Sequence, residues 1–302
     1  MEKLGGMDKK AYVVHEDDVP WETVAEGIRI KKLLCIDNCG KSPFYAGIAE
    51  FEPGVSSQTV KCNLAHCTYI LEGEVWARLG RQRLQLEKEA STYFPANVPF
   101  AYEASGTKGL RLLFSFATEN EIGEEHLAFE AVPEDEARSF YQANCPSNLM
   151  SPGAEVKGYR WATAGDTDPY IIVEAAQGKR SLSFQSFFDD TNGCKEMWWG
   201  RTYLRANCRY TPHYHEQPEF FYFLQGKGTM YGGPDVYQVR PGSMVYAPGN
   251  CLHGMVNDGA EPLCAIYDCD IEKTAYTYER IEVSDVPLIP PADRTDKMLS
   301  KV

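Results

Sequence analysis

Residues 211–228, "TPHYHEQPEFFYFLQGKG", place two of the six histidines one residue apart, and a glutamate follows four positions later. In an extended segment, residues i and i+2 point to the same face, so His213 and His215 can reach one cation. Glu219 opens the next apolar run, where a carboxylate is costly to bury unless it is paired or metal-bound. His253 lies in a further strand-like segment. Three imidazoles and one carboxylate suit a divalent transition metal, and we expect one Fe, Mn, Ni or Zn ion per chain.

Such a site has two chemical consequences. A histidine must be neutral to bind metal, so the metal affinity is expected to fall as the pH drops through the imidazole range. A six-coordinate ion with four protein ligands keeps two positions for substrate, water or oxygen, as catalysis requires. We expect Glu219 to have a catalytic role as well, because its charge tunes the ion and the acidity of bound water.

The elements that position these residues are many short runs rich in Val, Ile, Tyr and Phe, bounded by Gly, Pro and Asn. That pattern predicts strands, and strands at this density predict a sandwich or barrel. The sequence also repeats with a shift of 153 residues, which places residues 69–80, "YILEGEVWARLG", on residues 222–233, "YFLQGKGTMYGG". The chain is therefore predicted to contain two copies of one all-β domain.

The metal-ligand segments resemble the signature of the cupin family. The first motif, G-x5-H-x-H-x3-E-x6-G, is represented here by Asn207, His213, His215, Glu219 and Gly226. The second, G-x5-P-x-G-x2-H-x3-N, is represented by Gly242, Pro248, Asn250, His253 and Asn257. All spacings are kept, and asparagine, which tolerates a left-handed backbone, replaces two glycines. The resemblance implies an antiparallel double-stranded β-helix, or jelly-roll, barrel that binds metal through the three histidines and the glutamate.

The repeat makes the whole chain resemble a bicupin whose first half has lost the metal ligands. The four ligand places of that half hold Val60, Cys62, His66 and Phe100. We expect a metal-free first barrel, although Cys62 and His66 could still bind zinc or iron. The predicted domains are an N-terminal barrel at 1–118, an acidic and partly helical linker at 119–158, a C-terminal barrel at 159–280, and a tail at 281–302.

The surroundings of the metal are harder to predict. Arg201 and Tyr203 share one face of the strand before the first motif, and they would line a substrate pocket if that face points into the barrel. Phe221, Phe223 and Met255 have the parity of Glu219 and His253, so we expect them to line the pocket. Trp198 and Trp199 are predicted to pack between subunits.

Composition limits the partners. The net charge of −13 disfavours nucleic acid and anionic membranes, and no apolar run approaches the ~20 residues of a membrane span. The start of the sequence does not resemble a signal peptide, and ten cysteines without a leader are expected to stay reduced. We therefore predict a cytoplasmic protein that acts on a small molecule and forms a homodimer or larger oligomer.

Three functions compete. The first is a mononuclear non-heme dioxygenase that acts on a small carboxylate or carbonyl compound, as the resemblance to cupin dioxygenases implies. The second is a redox-neutral decarboxylase, lyase, isomerase or hydrolase, which needs a placed acid or base. Tyr203, Tyr231, Tyr267 and Glu216 are candidates for that group, but none is unambiguous, so the dioxygenase is preferred. The third is a cupin that binds a small molecule without catalysis.

Overall fold

A computed structural model describes residues 8–79, 82–118, 123–144, 160–163, 170–174, 179–190 and 193–270. These residues are almost entirely β-structure, as the sequence predicts. The strands are β1 (Tyr12–His15), β2 (Glu22–Ala25), β3 (Ile28–Leu34), β4 (Phe44–Phe51), β5 (Val60–Cys62), β6 (His66–Leu79), β7 (Gln82–Glu87), β8 (Ala90–Phe94), β9 (Ala101–Ala104), β10 (Leu110–Ala117), β11 (Phe129–Ala131), β12 (Arg160–Thr163), β13 (Tyr170–Glu174), β14 (Lys179–Phe188), β15 (Met197–Leu204), β16 (Cys208–His213), β17 (Glu219–Gln225), β18 (Gly228–Gly232), β19 (Asp235–Val239), β20 (Ser243–Ala247), β21 (His253–Asn257) and β22 (Leu263–Asp270). The α-helices are α1 (Ile36–Cys39) and α2 (Glu134–Asn144), and short 3-10 turns span Glu16–Asp18 and Glu124–His126.

The described residues form two compact units. We call one the N-barrel, which holds the described residues of 19–163 and 187–196, and the other the C-barrel, which holds those of 8–18, 170–186 and 197–270. The N-barrel is built on a sheet with strand order β12-β8-β6-β10-β4-β3-β2, from which β6 also pairs with β7 and β9. The C-barrel contains a seven-stranded sheet, β1-β20-β17-β22-β15-β14-β13, and a four-stranded sheet, β16-β21-β18-β19.

The predicted domain limits need correction at two arms. Strand β1 pairs antiparallel with β20, so residues predicted to begin the first barrel belong to the C-barrel. Strand β12, predicted to begin the second barrel, pairs with β8 of the N-barrel. Each arm supplies backbone partners to a strand that would otherwise be a sheet edge, and sequence periodicity does not reveal which edge an arm joins.

The described part of the predicted linker, residues 123–144, also belongs to the N-barrel. Strand β11 pairs with β5, and α2 lies where the sequence predicts a helix and buries Ala137 and Tyr141. The Tyr141 hydroxyl donates a hydrogen bond to the Pro99 carbonyl. The predicted tail at 281–302 lies outside the described residues.

The 153-residue repeat is visible in the backbone. Strands β4, β8 and β10 correspond with this shift to β15, β20 and β22. Gly73 and Gly226 occupy the same place at φ 83° and 80°, and an added Cβ would lie 2.0 Å and 2.3 Å from the carbonyl oxygens of Gly109 and Pro262. A side chain at either position would therefore meet both backbone strain and a collision.

Each barrel has its own apolar core. The C-barrel core contains Phe221, Phe223 and Met255, the three residues predicted to face inward from their parity. The N-barrel core contains Phe94, Phe100 and Phe116 among its larger members. Among the described residues, no helix has the length and apolar character that crossing a membrane would demand.

Candidate metal centre

Three of the four predicted ligands come from the ends of C-barrel strands, and the fourth lies in a connection between two of them. His213 ends β16, Glu219 begins β17 and His253 begins β21. His213 and His253 are direct cross-strand partners, so their side chains start from adjacent backbone positions. His215 lies in the short connection between β16 and β17. The sheet pairing thus brings together residues that are far apart in sequence.

Asparagines replace the two turn glycines of the cupin signature in the expected conformation. Asn207 has a φ of 56° and Asn250 a φ of 61°, both in the left-handed region that asparagine tolerates better than most side chains. The backbone N–H of Asn250 donates a 2.6 Å hydrogen bond to the backbone carbonyl of His215. The turn before His253 is thereby tied to the loop that carries the other ligands.

The ligand atoms of His213, His215, Glu219 and His253 all lie within 4.8 Å of one another, and the four side chains are buried. Glu219 Oε1 is 2.5 Å from His253 Nε2 and 3.7 Å from His215 Nε2. Within the described part of the chain, no other group of three or more His, Cys, Asp or Glu side chains converges in this way. This arrangement fits one divalent metal ion.

The contacts behind the ligands support this fit. His253 Nδ1 lies 2.8 Å from the Cys251 carbonyl, which can accept only if Nδ1 carries the proton. The Nε2 lone pair then points toward the other ligands, as metal binding requires. Backbone carbonyl partners of this kind fix the tautomer and ring orientation of a metal-binding histidine.

Electrostatics favour a charged glutamate in this site. Burial alone would raise the pKa of Glu219, but electrostatic and hydrogen-bond interactions with His253 and His215 outweigh it and hold the pKa below its usual range. For His215, burial lowers the pKa, and the hydrogen bond and charge of Glu219 outweigh that effect, so the net shift is upward. The carboxylate therefore stays ionised and available as a ligand.

A group of aromatic side chains lies beside the metal ligands, and the sequence analysis did not predict most of them as site residues. Tyr210 is buried and its ring centroid is 4.5 Å from that of His213. Phe184 contacts both Tyr210 and Tyr267, with centroid separations of 6.0 Å and 5.2 Å. Trp198 packs edge-on against Tyr267 at 5.6 Å. Regular alternation along β16 would put Tyr210 and His213 on opposite faces. An irregularity between them in the pairing with β21 brings their rings together, and the sequence carries no motif for it.

Strand β15 turns toward the barrel interior the face that does not carry Arg201 and Tyr203. Leu204 and Trp198 pack in the C-barrel core, so alternate residues Arg201 and Tyr203 project from the opposite face. The Arg201 guanidinium donates to Gln185 Oε1 at 2.8 and 3.0 Å, and Tyr203 is 41% exposed. Neither is brought to the metal ligands, in contrast to the pocket role predicted for them.

The tryptophans on this strand also differ from the prediction. Trp198 lies against the core, where its indole N–H donates to Ser186 Oγ at 3.1 Å. Trp199 is fully buried against Phe220. Both indoles therefore pack within the C-barrel and are not free for the subunit interface predicted for them.

The structure also gives the positions of the other three acid or base candidates predicted from the sequence. Tyr267 is buried in the C-barrel core and Tyr231 is buried on β18, whereas Glu216 is exposed.

The corresponding place in the N-barrel is filled by aromatic rings. His66 stacks on Phe94 and Phe116 at 5.1 Å and 4.7 Å, and Phe100 lies 4.4 Å away. Neither nitrogen of His66 has a hydrogen bond of good geometry, and burial lowers its pKa to about 3. Burial also raises the pKa of the Cys62 thiol to about 11. His66 is thus enclosed by phenylalanine rings, and among the described residues no third His, Cys, Asp or Glu side chain joins it and Cys62 in a possible ligand group.

The fold and the site together define two barrels of the cupin type, and the metal motif is intact in the C-barrel. Residues 204–267 match the family described as Cupin domain. Over 114 residues the chain is 27% identical to dimethylsulfoniopropionate lyase DddW of Ruegeria pomeroyi. The aligned region covers 37% of this chain and 68% of that protein.

Solved structures of oxalate decarboxylases share the two-barrel fold. A variant of the Bacillus subtilis enzyme OxdC aligns with a TM-score of 0.65 and 15% identity, over 87% of this chain and 78% of that one. The Lactobacillus farciminis enzyme, in a complex with formate, aligns with a TM-score of 0.62 and 15% identity, over 86% of each chain. At these identities the likeness concerns the fold.

Proposed function

We propose that this chain is a metal-dependent lyase that cleaves a bond in a small organic acid within the C-barrel. The observation that carries this proposal is the buried cluster of three histidines and Glu219 with the Tyr210 ring against His213. Two of the proteins it resembles, dimethylsulfoniopropionate lyase and oxalate decarboxylase, are named for redox-neutral reactions of small carboxylates. The dioxygenase preferred from the sequence has no comparable support among them.

The positions of two tyrosines weaken the reason for preferring oxygen chemistry. That preference rested on the absence of a placed acid or base, and the structure puts Tyr210 beside the ligands and Tyr267 in the same core. A bound divalent ion would act as a Lewis acid that holds a carboxylate and stabilises the negative charge developed beside it. Arg201 faces away from the core, so the ion is the natural partner for the substrate carboxylate.

The surrounding residues have separable roles in this proposal. His213, His215 and His253 hold the ion, and Glu219 adds the negative charge that tunes it. Phe221, Phe223 and Met255 line the interior and exclude water.

Tyr210 moves the proton. In an elimination its side chain is the candidate base for the proton on the carbon next to the carboxylate. The bond to the β-substituent then breaks, and the leaving group departs with the electron pair. The step balances without an oxidant.

A substrate panel tests the proposal. The purified chain, loaded separately with Mn²⁺, Fe²⁺, Ni²⁺ and Zn²⁺, is assayed on dimethylsulfoniopropionate, oxalate and related short acids, with products and oxygen uptake followed together. Product formation without oxygen uptake, which Tyr210→Phe lowers ~100-fold or more, is expected. Turnover that consumes oxygen stoichiometrically would restore the dioxygenase. Tight binding without turnover by any metal form would make the chain a binding cupin.

We also propose that the chain is at least a dimer and that it is cytoplasmic. Strand β2 is a sheet edge in which all four residues are exposed, and such edges readily pair with a second chain. Val24 on this strand is among the exposed large apolar side chains. Light scattering at micromolar concentration should therefore show a species larger than the 34.0 kDa chain; a monomer would contradict the proposal.

A further inference from the structure

The N-terminal arm, residues 8–18, contacts the turn that leads into His253. Strand β1 of this arm pairs with β20 from Tyr12↔Tyr246 to His15↔Ser243, and β20 leads directly into the turn at residues 248–253. Strand β20 pairs on its other side with β17, where Ala247 faces Glu219. The arm is thus one strand away from a metal ligand.

Lys9 holds this turn at two points. Its ammonium group donates a 2.6 Å hydrogen bond to the Gly249 carbonyl. Its own backbone carbonyl lies 3.7 Å from Cys251 Sγ and is one of two acceptors within reach of the thiol, the other being the Leu252 carbonyl at 3.6 Å. Cys251 is fully buried, and its carbonyl is the acceptor for His253 Nδ1. Lys9 therefore contacts the turn through Gly249 and through Cys251, the residue whose carbonyl is the partner of His253 Nδ1.

The neighbouring hairpin keeps Lys9 in place. Gly233 has a φ of 66°, and a Cβ added there would lie 1.6 Å from the Lys9 carbonyl oxygen. The Gly233 amide also donates a 2.6 Å hydrogen bond to the Leu252 carbonyl, inside the same turn. The backbone of Lys9 therefore packs directly on glycine, and the close approach aligns its carbonyl with the turn.

We propose that Lys9 is a positioning residue of the metal centre. It fixes the turn at residues 248–253 and, through the Cys251 carbonyl, the orientation of the His253 ring. Partners behind the ligands commonly change metal affinity 10- to 100-fold when they are lost. The proposal concerns metal geometry, so it stands apart from the reaction that the site performs.

Full-length variants test this role. Lys9→Met removes the ammonium group, Gly233→Ala displaces the Lys9 carbonyl, and Lys9→Arg restores a donor. The matched control is Lys10→Met, because Lys10 is also an exposed lysine of the arm but binds Asp235 at 2.9 Å. The readouts are Co²⁺ affinity by chelator competition, the visible absorption of the Co²⁺ protein, and the melting temperature of the metal-free protein.

We expect Gly233→Ala to weaken Co²⁺ binding by ~10-fold and Lys9→Met by less, both with an altered Co²⁺ spectrum. Lys9→Arg should recover the spectrum and Lys10→Met should not change it. If Gly233→Ala does not fold, the comparison of Lys9→Met with Lys10→Met decides. Wild-type affinity and spectrum in Lys9→Met would overturn the proposal. So would an equal loss in Lys10→Met that follows melting temperature alone, since that would indicate a purely structural arm.

Discussion

Glu219 Oε1 lies 2.5 Å from His253 Nε2, although the two residues belong to different sheets of the C-barrel. Glu219 begins β17 in the seven-stranded sheet, and His253 begins β21 in the four-stranded sheet. An ion bound by both side chains joins the two sheets. Because the unfolded chain cannot assemble this site, the free energy of metal binding adds to the stability of the folded state.

Metal should therefore stabilise the protein measurably. At a free metal concentration 100 times the dissociation constant, the gain in unfolding free energy is about 2.7 kcal/mol. His253→Ala should abolish the metal-dependent rise in melting temperature. The control is His126→Ala, which removes an exposed histidine of the N-barrel. Equal metal-dependent shifts in wild type and His253→Ala would show that the ion binds elsewhere.

The metal content should be one equivalent per chain. The C-barrel holds the complete ligand set, whereas His66 in the N-barrel is enclosed by phenylalanine rings. Elemental analysis should show loss of metal in His215→Ala and no change in His66→Leu. Two equivalents in the wild type, or full retention in His215→Ala, would contradict this stoichiometry.

The turns and the ligand cluster could be predicted because they depend on local backbone requirements. Gly73 and Gly226 mark the repeat since both need a left-handed backbone against a nearby carbonyl. The spacing of His213 and His215 predicted a shared site, and the cluster with Glu219 and His253 is present. Phe221 and Phe223, which share the parity of Glu219, lie in the C-barrel core.

The face of β15 and the partner of β1 could not be predicted, since both depend on tertiary packing. Alternating residues on β15 are compatible with either orientation, and the structure chooses the one that buries Leu204 and turns Tyr203 outward. The pairing of β1 with β20 joins opposite ends of the chain. No local sequence pattern encodes such a contact. The position of Lys9 beside the turn that carries His253 therefore could not be predicted from the sequence.

His66 should make the stability of the protein depend on pH. Its pKa is lowered to about 3 in the folded state from an unfolded value of 6.5, because charging it would bury an unpaired cation. Between these values the unfolded state binds a proton that the folded state refuses, so stability falls as the pH falls. From about pH 7 to about pH 5.5 the loss is about 1 kcal/mol.

Urea unfolding of metal-free wild type and His66→Leu at the two pH values measures this effect. The leucine variant should lose about 1 kcal/mol less over that interval, while contributions from the metal-binding histidines remain common to both proteins. Identical pH dependences in the two proteins would mean that His66 is not held neutral by its cage.

Glu219 should matter more for reactivity than for holding the metal. Three neutral histidines leave the full dipositive charge on a bound ion, and the carboxylate cancels part of it and so tunes the acidity of bound water. Glu219→Gln keeps the shape and an oxygen donor, so it should retain measurable metal but lose most turnover.

His253→Ala removes a ligand outright and should lose both metal and turnover, which makes it the reference for a simple binding defect. Metal content by elemental analysis and the rate on the substrate identified from the acid panel are measured on the same preparations. The difference between the two variants separates holding the ion from tuning it, because only His253→Ala should empty the site. Wild-type turnover in Glu219→Gln would mean that the glutamate is neither a required ligand nor a base, and the working site would then be formed by His213, His215 and His253 alone.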